Sequence, residues 1–212
     1  MLIHDVLLFL GRAICHQLED RSLQAAGETL SVCARDTGIY LGIFSSLAYL
    51  HLFKRHQGIT IPSIKISLFL LLFMMPMMVD GLGSYLHLFE STNERRLVSG
   101  TSFGFVLPYF LYPLLSAGAI ENTSEPVVRD VKDLLVPLLL SGILGILFYW
   151  GKLPYYVLDS FIIVTVIGWF SLFAYFLFFW ISNRAVKWTL SIFVSLAFLS
   201  LLSCLHGWLL HT

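Results

Sequence analysis

Charge is what this sequence has least of. Of its 212 residues 12% are charged, 13 basic against 13 acidic, and the formal net charge is zero. A soluble domain carries about 25% charged residues. The shortfall excludes an ordinary soluble domain, because such a chain could not cover its own surface. The balance excludes a basic field for nucleic acid, and no nucleic-acid partner is expected. Cysteine is scarce too, with three residues and no Cys-x-x-Cys pair. The N-terminus, Met1-Leu2-Ile3-His4-Asp5, lacks a basic region, and no small-residue cleavage site follows Val6 to Leu10. It reads as a short retained helix lying at the membrane interface rather than as a signal peptide. No internal repeat is visible.

What the chain has is apolar length. Hydrophobic residues make up 58%, with 18 Phe, 9 Tyr and 5 Trp, and the mean hydropathy is +0.83. A span needs about 20 apolar residues at about 1.5 Å rise each, so the chain holds about six spans and no separate soluble domain. The expected fold is all-α, a polytopic transmembrane helical bundle. The lipid bilayer is its first partner, and a multi-pass protein of the cell membrane is expected.

The spans are placed near Thr37 to Phe53, Ser63 to Val79, Leu97 to Ile120, Leu134 to Trp150, Tyr155 to Ile181 and Trp188 to Leu210. A short re-entrant or interfacial helix over Leu82 to Phe89 would alter that count. Residues 1–36 form an interfacial helix and a polar segment, and residues 37–212 the bundle. Trp150, Trp180, Trp188 and Trp208 fall near span ends, as interfacial anchors do. Asn122-Thr123-Ser124 is a glycosylation-like triplet without expected meaning. Pro76, Pro108 and Pro113 should kink helices or free carbonyls. The pairs Gly38/Gly42 and Gly100/Gly104 allow close helix approach, read as ordinary packing.

Lys54, Arg55, Lys65, Arg129, Lys132, Arg184 and Lys187 fall on one side, and Arg12, Arg21, Arg35, Arg95, Arg96 and Lys152 on the other. The second set is concentrated in the segments suspected of function. On that ground the first set faces the cytoplasm, and the second set and both termini face out.

The run Cys15-His16-Gln17, then Arg21-Ser22, then Cys33-Ala34-Arg35-Asp36-Thr37-Gly38-Ile39-Tyr40, stands apart. Cys15 and Cys33 are soft donors, His16 a borderline one and Asp36 a hard one, and a tetrahedral zinc site wants four such groups. Cys33-x-x-Asp36 repeats the two-residue gap of a zinc knuckle with a carboxylate in the second place. Three readings of the cysteines stand open: a structural disulfide, ligands of a metal with His16 and Asp36, or free thiols against the bilayer. Cys204 is expected in the core of the last span, and His51, His56 and His87 near span ends.

The same run resembles the hallmark of a family of small prokaryotic membrane proteins, domain of unknown function two-thousand-eighty-five. The similarity rests on Cys15, His16, Gln17, Arg21, Ser22, Cys33, Arg35, Thr37, Gly38 and Tyr40, and extends to Asp80-Gly81 and to Arg96 with Gly100. It covers roughly the first half of the chain and implies a membrane fold but no activity. In the family pattern the position of Asp36 is often Cys. Exchange between Cys and Asp suits a metal ligand better than a disulfide partner, and an Asp ligand hardens the site. Zinc or another divalent transition metal is the expected cofactor.

Alternating topology returns Asp80 and Arg95-Arg96 to the side of the Cys-His segment. Asp80 is expected to pair with Arg35 or Arg96, or to serve as a metal ligand or general base. Asp159 is either an intramembrane functional carboxylate or a helix N-cap. A metal beside several Arg suggests a hydrolase or transferase acting on a lipid or lipid-linked anion. Asp80, Arg35 and Arg96 are then the expected catalytic groups, and Gln17, Arg21, Ser22 and Tyr40 the substrate-binding ones. The alternatives are a small transporter or channel for an ion or solute, and a non-catalytic scaffold with a structural metal or disulfide.

Overall fold

A computed structural model describes residues 2–54, 59–115 and 125–211. The Asn122-Thr123-Ser124 triplet, His56 and the expected end of the third span lie outside those residues. The chain runs α1 (Leu2–Arg12), a 3-10 turn (Glu19–Arg21), β1 (Ser22–Ala25), β2 (Glu28–Cys33), α2 (Ala34–Lys54), β3 (Ile59–Thr60), α3 (Ile64–Leu72), α4 (Met75–Tyr85), α5 (Asn93–Leu115), β4 (Glu125–Pro126), α6 (Lys132–Trp150), α7 (Tyr155–Leu177) and α8 (Arg184–His211). Among the described residues, five stretches are long and apolar enough to cross a membrane, α3 and α4 together counting as one. α2 is not among them. It has the length, 21 residues, but buries Thr37, Ser45 and Ser46 inside the protein. A helix shielded by its neighbours can be less apolar than one facing lipid. The outer helices instead expose large apolar side chains such as Val164, Phe193 and Leu201. Trp150, Trp180, Trp188 and Trp208 are all exposed at or near helix ends.

α2 packs most extensively against α5, and glycine makes that possible. A Cβ on Gly38 or Gly42 would meet the α5 backbone at Leu97 and Thr101, and one on Gly100 or Gly104 would meet the carbonyls of Arg35 and Ile39. The two backbones therefore touch, as small-xxx-small pairs allow. Pro76 lies in the first turn of α4, where its missing N–H costs nothing, and it marks the break after α3. α4 then continues past the expected end at Val79 to Tyr85, so Asp80 sits inside a helix. Phe89 folds back over Gly83.

The segment before α2 is more ordered than its polar composition suggests. β1 and β2 pair antiparallel, with Ser22 opposite Cys33 and Ala25 opposite Glu28. Ala26 and Gly27 take positive φ of 51° and 87°, as a two-residue hairpin turn of the primed type requires. Leu23, Ala25, Leu30 and Val32 point into the core. The hairpin is pinned from outside as well. Ala26 N–H donates to the Gly151 carbonyl at 3.0 Å, and Asn93 Nδ2 donates to the Ser22 carbonyl at 3.3 Å.

At the other end of the bundle, Lys54 Nζ lies 3.0 Å from Asp133. The carboxylate also accepts from Tyr49 Oη at 2.7 Å and from Arg129 N–H at 2.8 Å. Asp133 is 3% exposed. This network ties α2 to the start of α6.

Glycine contact predicts an asymmetry. Gly104→Ala should cost about 1–3 kcal/mol, because backbone must move to admit the methyl group. Gly142→Ala and Gly145→Ala, where a Cβ would meet nothing, should shift stability by less than about 0.5 kcal/mol. Thermal unfolding of the purified variants in detergent measures both.

Candidate functional site

Three elements meet at the end of the bundle opposite Asp133. Cys15 follows α1 and is anchored by its N–H to the Gly11 carbonyl at 3.0 Å. Cys33 ends β2, and Asp36 stands in the first turn of α2. The ligand atoms of Cys15, Cys33 and Asp36 lie within 4.8 Å of one another. Cys33 N–H donates to Cys15 Sγ at 3.1 Å, and Cys33 Sγ donates to Asp36 Oδ2 at 3.2 Å. Gln17, with a positive φ of 56°, also turns its N–H to the Cys15 sulfur. Both cysteines are free thiols. Hydrogen bonding with Cys33 holds the Cys15 thiol below its usual pKa, while the same bond and burial hold Cys33 above it. Backbone N–H groups converging on one sulfur favour a thiolate.

The fourth expected ligand, His16, is not in that group. Its exposed ring lies edge-on to His206 of α8, centroids 4.5 Å apart. His206 Nδ1 donates to the Arg12 carbonyl at 2.8 Å, fixing α8 to α1. The expected substrate residues divide. Gln17 Nε2 is engaged by the Leu8 and Ser31 carbonyls at 2.8 and 3.1 Å, so it bridges α1 and β2. Ser22 is buried, its hydroxyl bonded to the Leu18 carbonyl at 3.0 Å. Tyr40 is buried one turn beyond Asp36, whereas Arg21 is exposed beside Asp20.

Arg35 pairs with Asp80, Nη2 to Oδ2, at 2.5 Å. Ser91 Oγ donates to the other Asp80 oxygen, also at 2.5 Å. Asp80 is 4% exposed. Arg96 is buried in the first turn of α5 and bonds Asn93 Oδ1 at 3.2 Å. Because Gly100 rests on the Arg35 carbonyl, the glycine seam brings the arginines of α2 and α5 together.

Several polar groups carry more than the sequence suggested. Asp159 is 0% exposed. It accepts from Ser31 N–H at 2.9 Å, Ser31 Oγ at 2.8 Å and Tyr155 Oη at 3.0 Å. It thus ties α7 to the hairpin, and Pro154, not Asp159, caps α7. Ser91 and Asn93 carried no recognisable motif. Cys204, expected in a core, is exposed; its helix turns that side outward, toward lipid in a membrane.

Fold and site together define a polytopic helical membrane protein with a thiol-carboxylate cluster and an arginine-rich end. A family model described as "Predicted membrane protein (DUF2085)" matches residues 15–110. An uncharacterized protein of Methanocaldococcus jannaschii is 34% identical over 101 residues, 48% of this chain and 63% of the relative. An uncharacterized protein of Methanothermobacter thermautotrophicus is 33% identical over 97 residues, 45% of this chain and 82% of the relative. The chain belongs to this family of predicted membrane proteins. It spans 63% of the length of the first relative. No solved structure matches it.

The buried ion pair can be tested directly. Asp80→Asn and Arg35→Gln should each destabilise by about 2–4 kcal/mol, since each leaves a partner unpaired. The double variant should recover part of that loss. A double-mutant cycle on thermal unfolding measures the coupling, and strictly additive losses contradict the pair.

Proposed function

We propose that this protein is a membrane-embedded metal-dependent enzyme. Cys15, Cys33 and Asp36 hold a divalent transition metal, zinc fitting best, and the enzyme is a hydrolase or transferase acting on a lipid or lipid-linked anion. The observation that carries this reading is the approach of three ligand atoms within 4.8 Å at the arginine-rich end. Structural zinc sites are closed by four protein ligands, whereas catalytic ones use three and keep a position open. A three-ligand set fits the second pattern, with His16, turned to His206, outside it. Such a metal supplies Lewis acidity, polarising a water or a phosphoryl oxygen. Two thiolates and a carboxylate suit zinc, with the carboxylate widening the choice of metal.

The remaining roles follow from the neighbours. Asp80 has both oxygens engaged, so it acts as a positioning residue for Arg35. Arg35 and Arg96 balance charge that develops on the substrate, with Arg21 at the open rim. We read residues 1–36 as the segment that carries the ligands and residues 37–212 as the bundle that carries the segment. By the distribution of Lys and Arg this end faces away from the cytoplasm. The backbone contact between α2 and α5 leaves no width for a water path along that seam, which favours an enzyme over a transporter.

Metal analysis of protein purified without chelator tests this reading. About one transition metal per chain is expected, lost in Cys33→Ala and in Cys15→Ala; metal-free protein of unchanged stability contradicts it. Cys33, held protonated by its partners, must release its proton to bind. Metal affinity should therefore fall as pH falls, by about tenfold per unit for each proton released. Titration calorimetry in buffers of different ionisation enthalpy reads that proton count.

A further inference from the structure

Arg96 has a need that the cluster of thiols does not meet. It is 9% exposed, its charge is permanent, and among the described residues no carboxylate lies within ion-pairing distance. Its side-chain partner is the neutral Asn93. Two further arginines, Arg21 and Arg35, act on it, opposed by Asp80, which is already paired with Arg35, and by Cys33. Arg35 in turn keeps a buried Nε without a partner, its Nη2 being taken by Asp80. A buried guanidinium such as that of Arg96 loses hydration, and neighbouring arginines add repulsion, unless an anion meets it.

An apolar groove of about 690 Å³ adjoins Asp80, the carboxylate that pairs with Arg35. Leu72, Met75, Pro76 and Val79 of α3 and α4 form one wall and Val98 of α5 the other, with Asp80 and Arg95 at its polar end. Asp80 is thus shared by the groove and the arginine cluster. The two carboxylates that line the groove are engaged, Asp80 by Arg35 and Ser91, and Glu94 by Tyr149 Oη at 2.5 Å. Asp80 is thus neutralised by a cation, whereas Glu94 keeps its charge on the side of the groove turned to Tyr149.

We propose that Arg96, Arg21 and Arg35 bind the phosphate group of an anionic membrane lipid whose acyl chain lies in this groove. A phosphate offers several oxygens to planar donor forks, which is the match that arginine makes best. The apolar wall beside the fork selects a lipid over a soluble anion. The inference deepens the reading of the preceding section and rests on it for the chemistry that follows binding. Headgroup and metal would then stand side by side, the arginines orienting the phosphate toward Cys15, Cys33 and Asp36.

The test uses the delipidated full chain in detergent, stripped of metal with chelator, so that lipid binding is read apart from metal. Phosphatidic acid, phosphatidylcholine and inorganic phosphate are titrated separately, with native mass spectrometry and the unfolding midpoint as readouts. Phosphatidic acid should bind and raise the midpoint, and phosphatidylcholine should not. Arg96→Gln should weaken binding about tenfold or more. Arg21→Gln should weaken it less, and Arg184→Gln, at the far end, not at all. Arg96→Gln should keep its metal, and metal-free Cys33→Ala should keep its lipid, so either reading can fail alone. Where Arg96→Gln does not fold, Arg96→Lys and Arg21→Gln carry the comparison. Inorganic phosphate binding as tightly, with the same arginine dependence, overturns the lipid as the source of the phosphate. Equal binding of phosphatidylcholine, or full binding in both Arg96 and Arg21 variants, overturns the site.

Discussion

The contact between the α2 and α5 backbones fixes where Arg35, Asp36 and Arg96 stand relative to one another. Four glycines, two on each helix, let carbonyls of one helix rest on the other. With the helices this close, the first turns of both come side by side, and those turns carry Arg35, Asp36 and Arg96. A larger residue at any of the four positions would move the arginines and the metal-ligand candidates relative to each other. The polar chemistry therefore hangs on a feature that is itself apolar and has no charge or hydrogen bond of its own.

Around that seam the protein solves a problem that lipid imposes on any polar group. Each buried charge has to be met within the protein, because the bilayer offers nothing to meet it. Lys54 and Asp133 answer each other at one end of α2, and Arg35 and Asp80 at the other. Asp159 is satisfied by the hairpin and by Tyr155 instead of by a cation. These contacts join α2 to α4, α6 and, through β2, α7. The small hairpin thus acts as a clamp: it packs Leu30 and Val32 into the core and hands Cys33 to the start of α2. Arg96 breaks the pattern: among the described residues no carboxylate pairs with it.

The helical bundle was legible because long apolar runs have one main solution in a membrane, and tryptophans mark their ends. The meeting of Cys15, Cys33 and Asp36 was partly legible, since two of them are three residues apart and the topology returns the third. The hairpin was not. Its strands are four and six residues long, its turn opens with an alanine at positive φ, and much of its burial comes from α6 and α7, far away in sequence. Adjacency in sequence puts His16 with the cysteines, but the left-handed turn at Gln17 follows it and His206 arrives from the last helix to meet its ring. The Lys54–Asp133 pair lay across two segments that read as ordinary span ends, and only the packing of α2 against α6 joins them. Cys204 shows the converse error, since depth in a span does not decide which side of the helix faces the protein.

In the proposed centre, two thiolates and a carboxylate from three separate elements bind one metal. X-ray absorption spectroscopy of the zinc-loaded protein tests it most directly. The account predicts a mixed shell, with two sulfur neighbours at about 2.3 Å and the rest oxygen or nitrogen at about 2.0–2.2 Å. A shell without sulfur would contradict it.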